Sequence, residues 1–153
     1  MKPPAPPLLL DAMLGRLARW LRMLGYDAAY LADTDDLELV RLARAESRLI
    51  LTRDRGLAAR RGVQAVLIES QQIDEQIEEA IAAVGLPSQP ATPRCMACNV
   101  PLEPISHEAT RDRVPPYVWR TAREFTTCPC CGRIYWQGTH WEGIRQRLER
   151  ANS

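Results

Sequence analysis

Short apolar runs alternate with helical patterns along residues 7–85, and this alternation is the strongest constraint on the fold. The apolar runs are PLLLD (7–11), DAAYL (27–31), RLILT (48–52) and VQAVLIE (63–69). The helical patterns are MLGRLARWLRMLG (13–25), LELVRLARAE (37–46), a short segment around 55–61 and IDEQIEEAIAAVG (73–85). A strand and helix repeat of this kind predicts an α/β fold in which helices cover both faces of a parallel sheet.

Acidic residues follow three of these predicted strands. Asp11 ends the first strand, the cluster DTDD (33–36) follows the second, and Asp54 lies just after the third. In a parallel sheet the carboxyl ends of the strands meet at one edge, where ligands bind. Crowded carboxylates repel each other, and a hard divalent cation such as Mg²⁺ or Mn²⁺ removes that penalty. One or two such ions support in-line phosphodiester displacement, so the pattern favours a nuclease.

Each aspartate also has a structural explanation. Asp11, the 33–36 cluster and Asp54 are all suitable caps for a helix or turn. Two other carboxylate chemistries fit the sequence less well. A phosphoacceptor domain needs a lysine near the end of a later strand, whereas the one lysine is Lys2. A haloacid-dehalogenase-like phosphatase needs an aspartate where the chain has Met13.

Four cysteines form two pairs with the spacing of a structural zinc site. Cys95 and Cys98 lie in CMAC, Cys128 and Cys131 lie in CPCC, and 29 residues separate the pairs. This arrangement predicts a four-cysteine zinc ribbon. Four thiolates complete the coordination of zinc, so the ion is expected to be structural. Cys130 is left over and is expected to pack, with substitution for a neighbouring ligand as the alternative.

The chain is predicted to consist of two parts joined by a linker. The segment GLPSQPATPR (85–94) contains three prolines and has no apolar period, which is typical of a linker. We therefore predict an α/β domain over residues 1–86, a linker at 87–94, and a zinc ribbon with a C-terminal helix over 95–153.

The ribbon segment combines arginines with aromatic residues in RDRVPPYVWRTAR (111–123) and RIYWQGTHW (133–141). Such surfaces suit single-stranded nucleic acid, because bases stack on the rings while guanidinium groups hold phosphates. The candidate RNA contacts are Arg53, Arg55, Arg120, Arg123, Arg133, Tyr135, Trp136 and His140. The competing interpretation is that a ribbon of this size needs its aromatic residues as a core.

Three arginines lie opposite the leucine face of the first predicted helix. Arg16, Arg19 and Arg22 recur at every third residue, which predicts a solvated helix face. Because the helix begins beside Asp11, Arg16 is also a candidate contact to a phosphate at the acidic edge.

Composition narrows the class of protein further. The formal net charge of the 153 residues is only +1, which is unlike a polycation that coats nucleic acid without discrimination. No apolar run reaches the length of about 18 residues that spans a bilayer, and residues 1–15 lack the layout of a secretory signal. We therefore expect a cytoplasmic protein that does not bind membranes.

Several segments resemble a known family. LLLDAMLGRLARWLRMLGYD, DDLELVRLAR, LILTRDRGLAAR and CPCCGRIYWQGTHW look like the Mut-seven C-terminal RNase domain family, a PIN-like nuclease fold followed by a zinc ribbon. The resemblance extends from Leu8 to about Leu148. It implies a metal-dependent ribonuclease with acidic residues at the strand ends.

Carried over position by position, the resemblance implies catalytic acids at Asp11, Asp36 and Asp54. Asp35 and Glu38 are supporting or alternative acids beside Asp36. Thr52 matches the small hydroxyl residue before the third acid, and the candidates for a fourth acid are Glu69 and Asp74.

The resemblance implies Zn²⁺ as a structural ion, Mg²⁺ or Mn²⁺ as a catalytic ion, and RNA as the partner. Two other functions stay open at this point: a noncatalytic RNA-binding module, and a zinc-ribbon adaptor for protein partners.

Overall fold

The computed structural model describes residues 4–87, 91–137 and 146, and within them a parallel sheet precedes an antiparallel one. The strands of the first part are β1 (Leu8–Leu10), β2 (Ala28–Tyr30), β3 (Leu49–Thr52) and β4 (Ala65–Leu67). Its helices are α1 (Gly15–Met23), α2 (Asp36–Glu46), α3 (Arg55–Ala58) and α4 (Ile73–Val84), with a 3₁₀ helix at Ala12–Leu14 before α1. The predicted alternation of strands and helices is confirmed.

The four strands of this sheet pair in parallel in the order β2-β1-β3-β4. β1 therefore has a neighbour on each side, and Leu10 lies opposite Tyr30 of β2 and opposite Leu51 of β3. Parallel neighbours require a crossover connection between them, and the helices supply it. The expected α/β class is confirmed.

Alternation along β1 divides the apolar core between the two faces of the sheet. Leu8 and Leu10 pack with the leucine face of α1 and with α4. Leu9 packs on the opposite face, together with Ile50 of β3 and Leu39 of α2. Full burial of one such side chain contributes about 1.5–3 kcal/mol. Because both faces are covered, the strands read as continuous apolar runs in the sequence.

Polar caps and left-handed residues set the ends of the helices. Asp35 precedes α2 and accepts a hydrogen bond from the Glu38 N–H at 2.8 Å, and Ser47 ends this helix with a φ of 54°. Gly25 follows α1 with a φ of 101°, as its position at the end of the pattern predicts. No helix in the described ranges is both long enough and apolar enough to cross a bilayer.

The second part is a small antiparallel sheet attached to two cysteine loops. Strands β5 (Glu103–Ile105), β6 (Phe125–Thr127) and β7 (Ile134–Trp136) pair in that order. A 3₁₀ helix (Glu108–Thr110) and the short α5 (Pro116–Thr121) lie between β5 and β6. The small core contains Cys95, Leu102 and Cys128. The predicted C-terminal helix falls outside the described residues, apart from Gln146.

Arg22 joins the two parts, and its position corrects an expectation from the sequence. The helical pattern placed it on a solvated face with Arg16 and Arg19, but Arg22 is only 9% exposed. Its Nε donates to the Ala28 carbonyl at 2.8 Å, and its Nη1 donates to the Met96 carbonyl at 2.5 Å. The prediction was wrong because helical periodicity does not show that the ribbon covers one end of α1.

Asn99 forms a second link between the ribbon and the parallel sheet. Its Oδ1 accepts from the Ala28 N–H at 3.1 Å, and its Nδ2 donates to Asp27 Oδ1 at 2.7 Å. Arg48 donates to the same carboxylate oxygen at 2.8 Å. Burial acts to raise the pKa of Asp27, but the hydrogen bonds from Arg48 and Asn99 outweigh it and lower the pKa. Because β2 is an edge strand, the Ala28 N–H has no partner within the sheet, and Asn99 supplies its acceptor.

We expect Arg22→Ala to lower the free energy of unfolding by about 2–4 kcal/mol, because the Ala28 and Met96 carbonyls lose their donor inside the protein. Arg19→Ala removes an exposed arginine from the same helix, and we expect it to change stability by less than about 0.5 kcal/mol. Urea unfolding of the zinc-loaded protein, followed by circular dichroism, measures both values. Equal stabilities of the two variants would show that Arg22 does not hold the parts together.

Candidate functional site

The register of β1 and β3 brings Asp11 next to Thr52. Leu10 pairs with Leu51, and the Asp11 N–H donates to the Leu51 carbonyl at 3.2 Å. Thr52 is fully buried. Its hydroxyl donates to Asp11 Oδ2 and accepts from the Asp54 N–H at 3.0 Å. A chain of hydrogen bonds thus connects two of the predicted acids across the ends of two neighbouring strands.

Asp11 is held by three donors. Its Oδ1 accepts from the Met13 N–H at 3.0 Å, and its Oδ2 accepts from the Thr52 hydroxyl and from the Arg53 N–H at 3.3 Å. An ionised carboxylate offers about four lone-pair positions. The three hydrogen bonds therefore orient the Asp11 carboxylate and leave about one lone-pair position available to a cation.

Asp54 caps α3 with one of its two oxygens. Oδ1 accepts from the Gly56 N–H at 2.8 Å and from the Leu57 N–H at 3.2 Å. The residue is exposed, and its Oδ2 accepts no hydrogen bond from any residue that the structure describes. Capping and metal binding are therefore compatible at Asp54, because they use different oxygens.

The acidic cluster after β2 divides into a helix cap and a free carboxylate. Asp35 is the cap residue of α2, and Glu38 accepts a hydrogen bond from the Thr34 hydroxyl at 2.7 Å. Asp36 is the first residue of α2 and is exposed. Its carboxylate makes no hydrogen bond or ion pair within the described part of the chain. Within the described part of the chain, Asp36 is thus an unengaged acid at the start of α2, and Asp33 of the same cluster is likewise exposed and unengaged.

The three predicted catalytic acids do not form a compact group. Among the described residues, the four cysteines are the one group of three or more potential ligands that is placed to hold a metal ion, with donor atoms within 4.8 Å of one another. Asp11, Asp36 and Asp54 instead follow three neighbouring strands. Because adjacent strands are about 4.8 Å apart, acids that follow three of them spread along the edge of the sheet.

Glu69, a candidate fourth acid, lies beyond β4 at the same edge. The Arg53 Nη2 donates to the Glu69 carbonyl at 3.1 Å, and the Arg55 Nη2 lies 3.9 Å from Glu69 Oε1. Both members of this ion pair are exposed, so the pair contributes at most about 1 kcal/mol. The arginines on either side of Asp54 are thus directed toward the end of β4. Asp74, the other candidate, lies in the first turn of α4.

The cysteine group fits a tetrahedral zinc ion. The four Sγ atoms lie within 4.8 Å of one another, and Cys95 Sγ is 3.7 Å from Cys131 Sγ. Zinc–thiolate bonds of about 2.3 Å in a tetrahedron separate two sulfurs by ~3.8 Å. The predicted ligands are therefore brought together at the spacing that zinc requires.

Cys130 lies outside this group of four. It is exposed, so the expectation that it packs is wrong. Its N–H lies 3.3 Å from Cys128 Sγ, and the Cys131 N–H lies 3.4 Å from the same sulfur. The turn in CPCC thus supplies backbone donors to a ligand sulfur, and the spare thiol, although exposed, lies within hydrogen-bond reach of the Cys98 side chain.

Tyr135 supports the cysteine group from β7. Its hydroxyl lies 3.1 Å from Cys95 Sγ and accepts from the Met96 N–H at 3.1 Å. Burial acts to raise the pKa of Cys95, but hydrogen bonds from Tyr135 and from the backbone of Cys98 and Ala97 outweigh it and lower the pKa to about 6. Zinc requires the thiolate form. Tyr135 therefore stabilises the thiolate of a predicted zinc ligand, a role that the sequence did not indicate.

The remaining predicted RNA contacts of the ribbon lie on its surface. The charged ones are exposed: Arg120, Arg123 and Arg133. Trp136 is 39% exposed and packs edge-to-face on Phe125, with ring centroids 6.3 Å apart. His140 lies outside the described residues. The structure adds one stacked pair that sequence reasoning missed, since the Arg111 guanidinium lies 5.3 Å from the centre of the Trp119 ring.

A parallel sheet with acids beyond neighbouring strands, followed by a four-cysteine centre, defines an α/β protein with an appended zinc ribbon. The model of the Mut7-C RNAse domain family matches residues 6–148, and the chain belongs to this family. Comparisons with curated proteins and with solved structures found no match. The resemblance seen in the sequence is confirmed over nearly the whole chain, and the family indicates nuclease activity.

We expect Cys128→Ser to abolish zinc binding and to unfold the ribbon, because a structural zinc site needs its four ligands and contributes folding energy. Cys130→Ser changes the neighbouring exposed thiol, and we expect it to retain zinc at the wild-type content. Atomic absorption on dialysed protein measures the metal, and circular dichroism reports the fold. Equal zinc contents in the two variants would contradict this set of ligands.

Proposed function

We propose that the protein is a metal-dependent ribonuclease whose active site lies at the carboxyl edge of the parallel sheet. The observation that carries this proposal is the hydrogen-bonded chain from Asp11 through Thr52 to Asp54, in a member of the Mut7-C RNAse domain family. Ligands of parallel α/β sheets bind beyond this edge. Asp36 supplies the third acid, and RNA is the proposed substrate.

The donor chemistry of this edge fits Mg²⁺ or Mn²⁺. Carboxylate oxygens are the hard donors that these ions prefer. The residues that would hold one or two ions are Asp11, Asp36 and Asp54, and each has an oxygen with remaining acceptor capacity. Because the acids are spread along the edge, part of this coordination would run through bound water, which Mg²⁺ usually keeps. When bound, a divalent ion supplies Lewis-acid stabilisation of phosphate oxygens and activation of water.

Thr52 positions the acids and does not itself touch the substrate. The hydroxyl has a single proton, which it donates to Asp11, so its oxygen is left to accept from the Asp54 N–H. This order of donors and acceptors fixes the Asp11 carboxylate relative to the turn that carries Asp54. Burial of Thr52 excludes water from the link, which keeps the arrangement rigid.

The zinc ribbon supplies RNA contacts and no chemistry in this proposal. Four thiolates leave no open position on the ion, so the zinc is structural. Exposed Arg120 and Arg123 suit phosphate groups, and the half-exposed ring of Trp136 offers a stacking face. The ribbon would thus hold RNA while the acids of the sheet edge cleave it.

Asp54→Asn tests the proposed chemistry without removing the helix cap. Asparagine caps helices about as well as aspartate, so α3 is expected to persist. Loss of the negative charge is expected to reduce cleavage by more than the roughly 10–100-fold typical of losing an outer-shell metal partner. Cleavage of labelled single-stranded and hairpin RNAs with Mn²⁺, Mg²⁺ or no added divalent ion measures the effect.

The matched control for this test is Asp112→Asn, which removes an exposed carboxylate from the ribbon. We expect it to cut RNA like the wild type. If wild type and Asp54→Asn show the same trace of cleavage, the activity is contamination. RNA binding that persists in both would then make a noncatalytic RNA-binding module the leading function.

Asp35 and Asp36 are expected to separate stability from activity. Asp35→Ala removes the cap of α2 and is expected to cost about 1 kcal/mol of stability while cleavage persists. Asp36→Asn is expected to leave the fold unchanged and to abolish metal-dependent cleavage. Urea unfolding and the cleavage assay together measure the pair. Full activity in Asp36→Asn would remove this residue from the proposed site.

A further inference from the structure

A cleft of about 610 Å³ lies between α1 and the first cysteine pair of the ribbon. Arg16 and Arg19 of α1 line one side, Met96 and Ala97 line the other, and Arg133 of the ribbon also borders the space. Its described lining residues include four arginines and no acid. This cleft was not apparent from the sequence, because its two sides lie on separate parts of the chain.

The arginines of the cleft are not neutralised by neighbouring acids. Arg16 and Arg19 are exposed and make no hydrogen bond or ion pair through their side chains with any residue that the structure describes. Arg22, at the base, is engaged by two backbone carbonyls and lies close enough to Cys95 to offset its negative charge. Arg133 hydrogen-bonds to the neutral side chain of Tyr135 and keeps its charge, so it and the two guanidinium groups of α1 leave a positive field that favours an anion.

Tyr30 connects this cleft to the acidic edge of the sheet. Its side chain lines the cleft, and its hydroxyl donates to the Ala12 carbonyl at 2.8 Å. Ala12 directly follows Asp11 in the chain. A side chain at Gly15 would place a Cβ 2.9 Å from the Tyr30 hydroxyl oxygen, so glycine leaves room for this contact. A side chain that lines the cleft is therefore bonded to the residue that directly follows a proposed metal-binding acid.

The size and chemistry of the cleft indicate its ligand. A volume of 610 Å³ lies within the range of about 300–1,000 Å³ typical of small-molecule pockets, which suits a short stretch of one strand and not a duplex. Arginine forks match phosphate oxygens in two places. The partly buried ring of Tyr30, which lines the cleft, adds an aromatic surface of the kind on which bases stack.

We propose that this cleft binds the sugar–phosphate backbone of single-stranded RNA. The bound nucleotides lie on one side of the phosphodiester bond that is cleaved at the acidic edge. This inference rests on the proposed ribonuclease function and extends it by naming the substrate class. Arg16, Arg19 and Arg133 bind phosphates, and Tyr30 lies on the path of the RNA toward Asp11. Zinc binding supports the cleft because Met96 and Ala97, between the first two cysteines, form one of its walls.

Binding measured apart from cleavage tests the cleft. Fluorescence anisotropy of a fluorescein-labelled oligouridine is followed as salt increases, on zinc-loaded protein that carries Asp54→Asn and receives no added divalent ion. The triple variant Arg16→Gln, Arg19→Gln, Arg133→Gln should bind more weakly. Because each phosphate contact on a single strand contributes about 0.7 to the slope of log affinity against log salt, the slope should fall by about 2.

A second triple variant controls for net charge. Arg41→Gln, Arg60→Gln and Arg61→Gln remove three exposed arginines that do not line the cleft. This variant should bind oligouridine with the slope of the parent protein. Equal losses of affinity in the two triple variants would mean that RNA binding depends on net charge alone. That result would overturn the cleft as a binding site. Zinc content and circular dichroism confirm that both variants are folded.

A fully paired hairpin RNA tests the substrate class. We expect it to bind more weakly than oligouridine. We also expect its affinity to fall less when the three arginines of the cleft are replaced. Equal affinity and equal loss for the hairpin would overturn the preference for single strands.

Cleavage with Asp54 intact separates this proposal from the ribonuclease itself. Cleft-dependent binding without cleavage by the wild type would support the cleft and refute the enzyme. Cleavage that is unchanged by the cleft variant would support the enzyme and refute the cleft.

Discussion

The parallel pairing of β1 with β3 is the interaction on which the rest of the structure depends. Both strands have neighbours on each side and apolar clusters on each face. The same register places Asp11 beside Thr52, which in turn binds the turn that carries Asp54. A slip of one residue would exchange the faces of every side chain in the strand. The stability of the core and the geometry of the acidic edge therefore have a common origin.

The ribbon depends on the sheet through a small number of polar contacts. Arg22 reaches the Met96 carbonyl inside the first cysteine pair, and Asn99, just after that pair, binds the start of β2. The cysteines of this loop belong to the group of four whose spacing fits zinc. The loop that carries the first cysteine pair thus contacts α1 and β2, and these two elements supply three of the four arginines and the tyrosine of the cleft.

Much of the fold was predictable from local patterns, whereas the roles of individual polar residues were not. Periodicity identified the strands and helices, and cysteine spacing identified the ligand set that the structure brings together. The same patterns assigned Arg22 to solvent and Cys130 to the interior, and both assignments were wrong. Spacing also did not separate Asp35, which caps α2, from Asp36, whose carboxylate is free in the described structure. These errors share a cause, because burial and hydrogen bonding depend on elements distant in the sequence.

The sequence by itself determined which residues are strands, which helices connect them, and which sulfurs come together as a potential metal site. Each of these properties depends on the spacing of residues within a short segment. Only the tertiary structure decided that Thr52 joins two acids, that Tyr135 supports a zinc ligand, and that arginines from α1 and the ribbon line one cleft. Those relations join residues about 40 or more positions apart, which become neighbours only when hydrophobic burial brings their elements together.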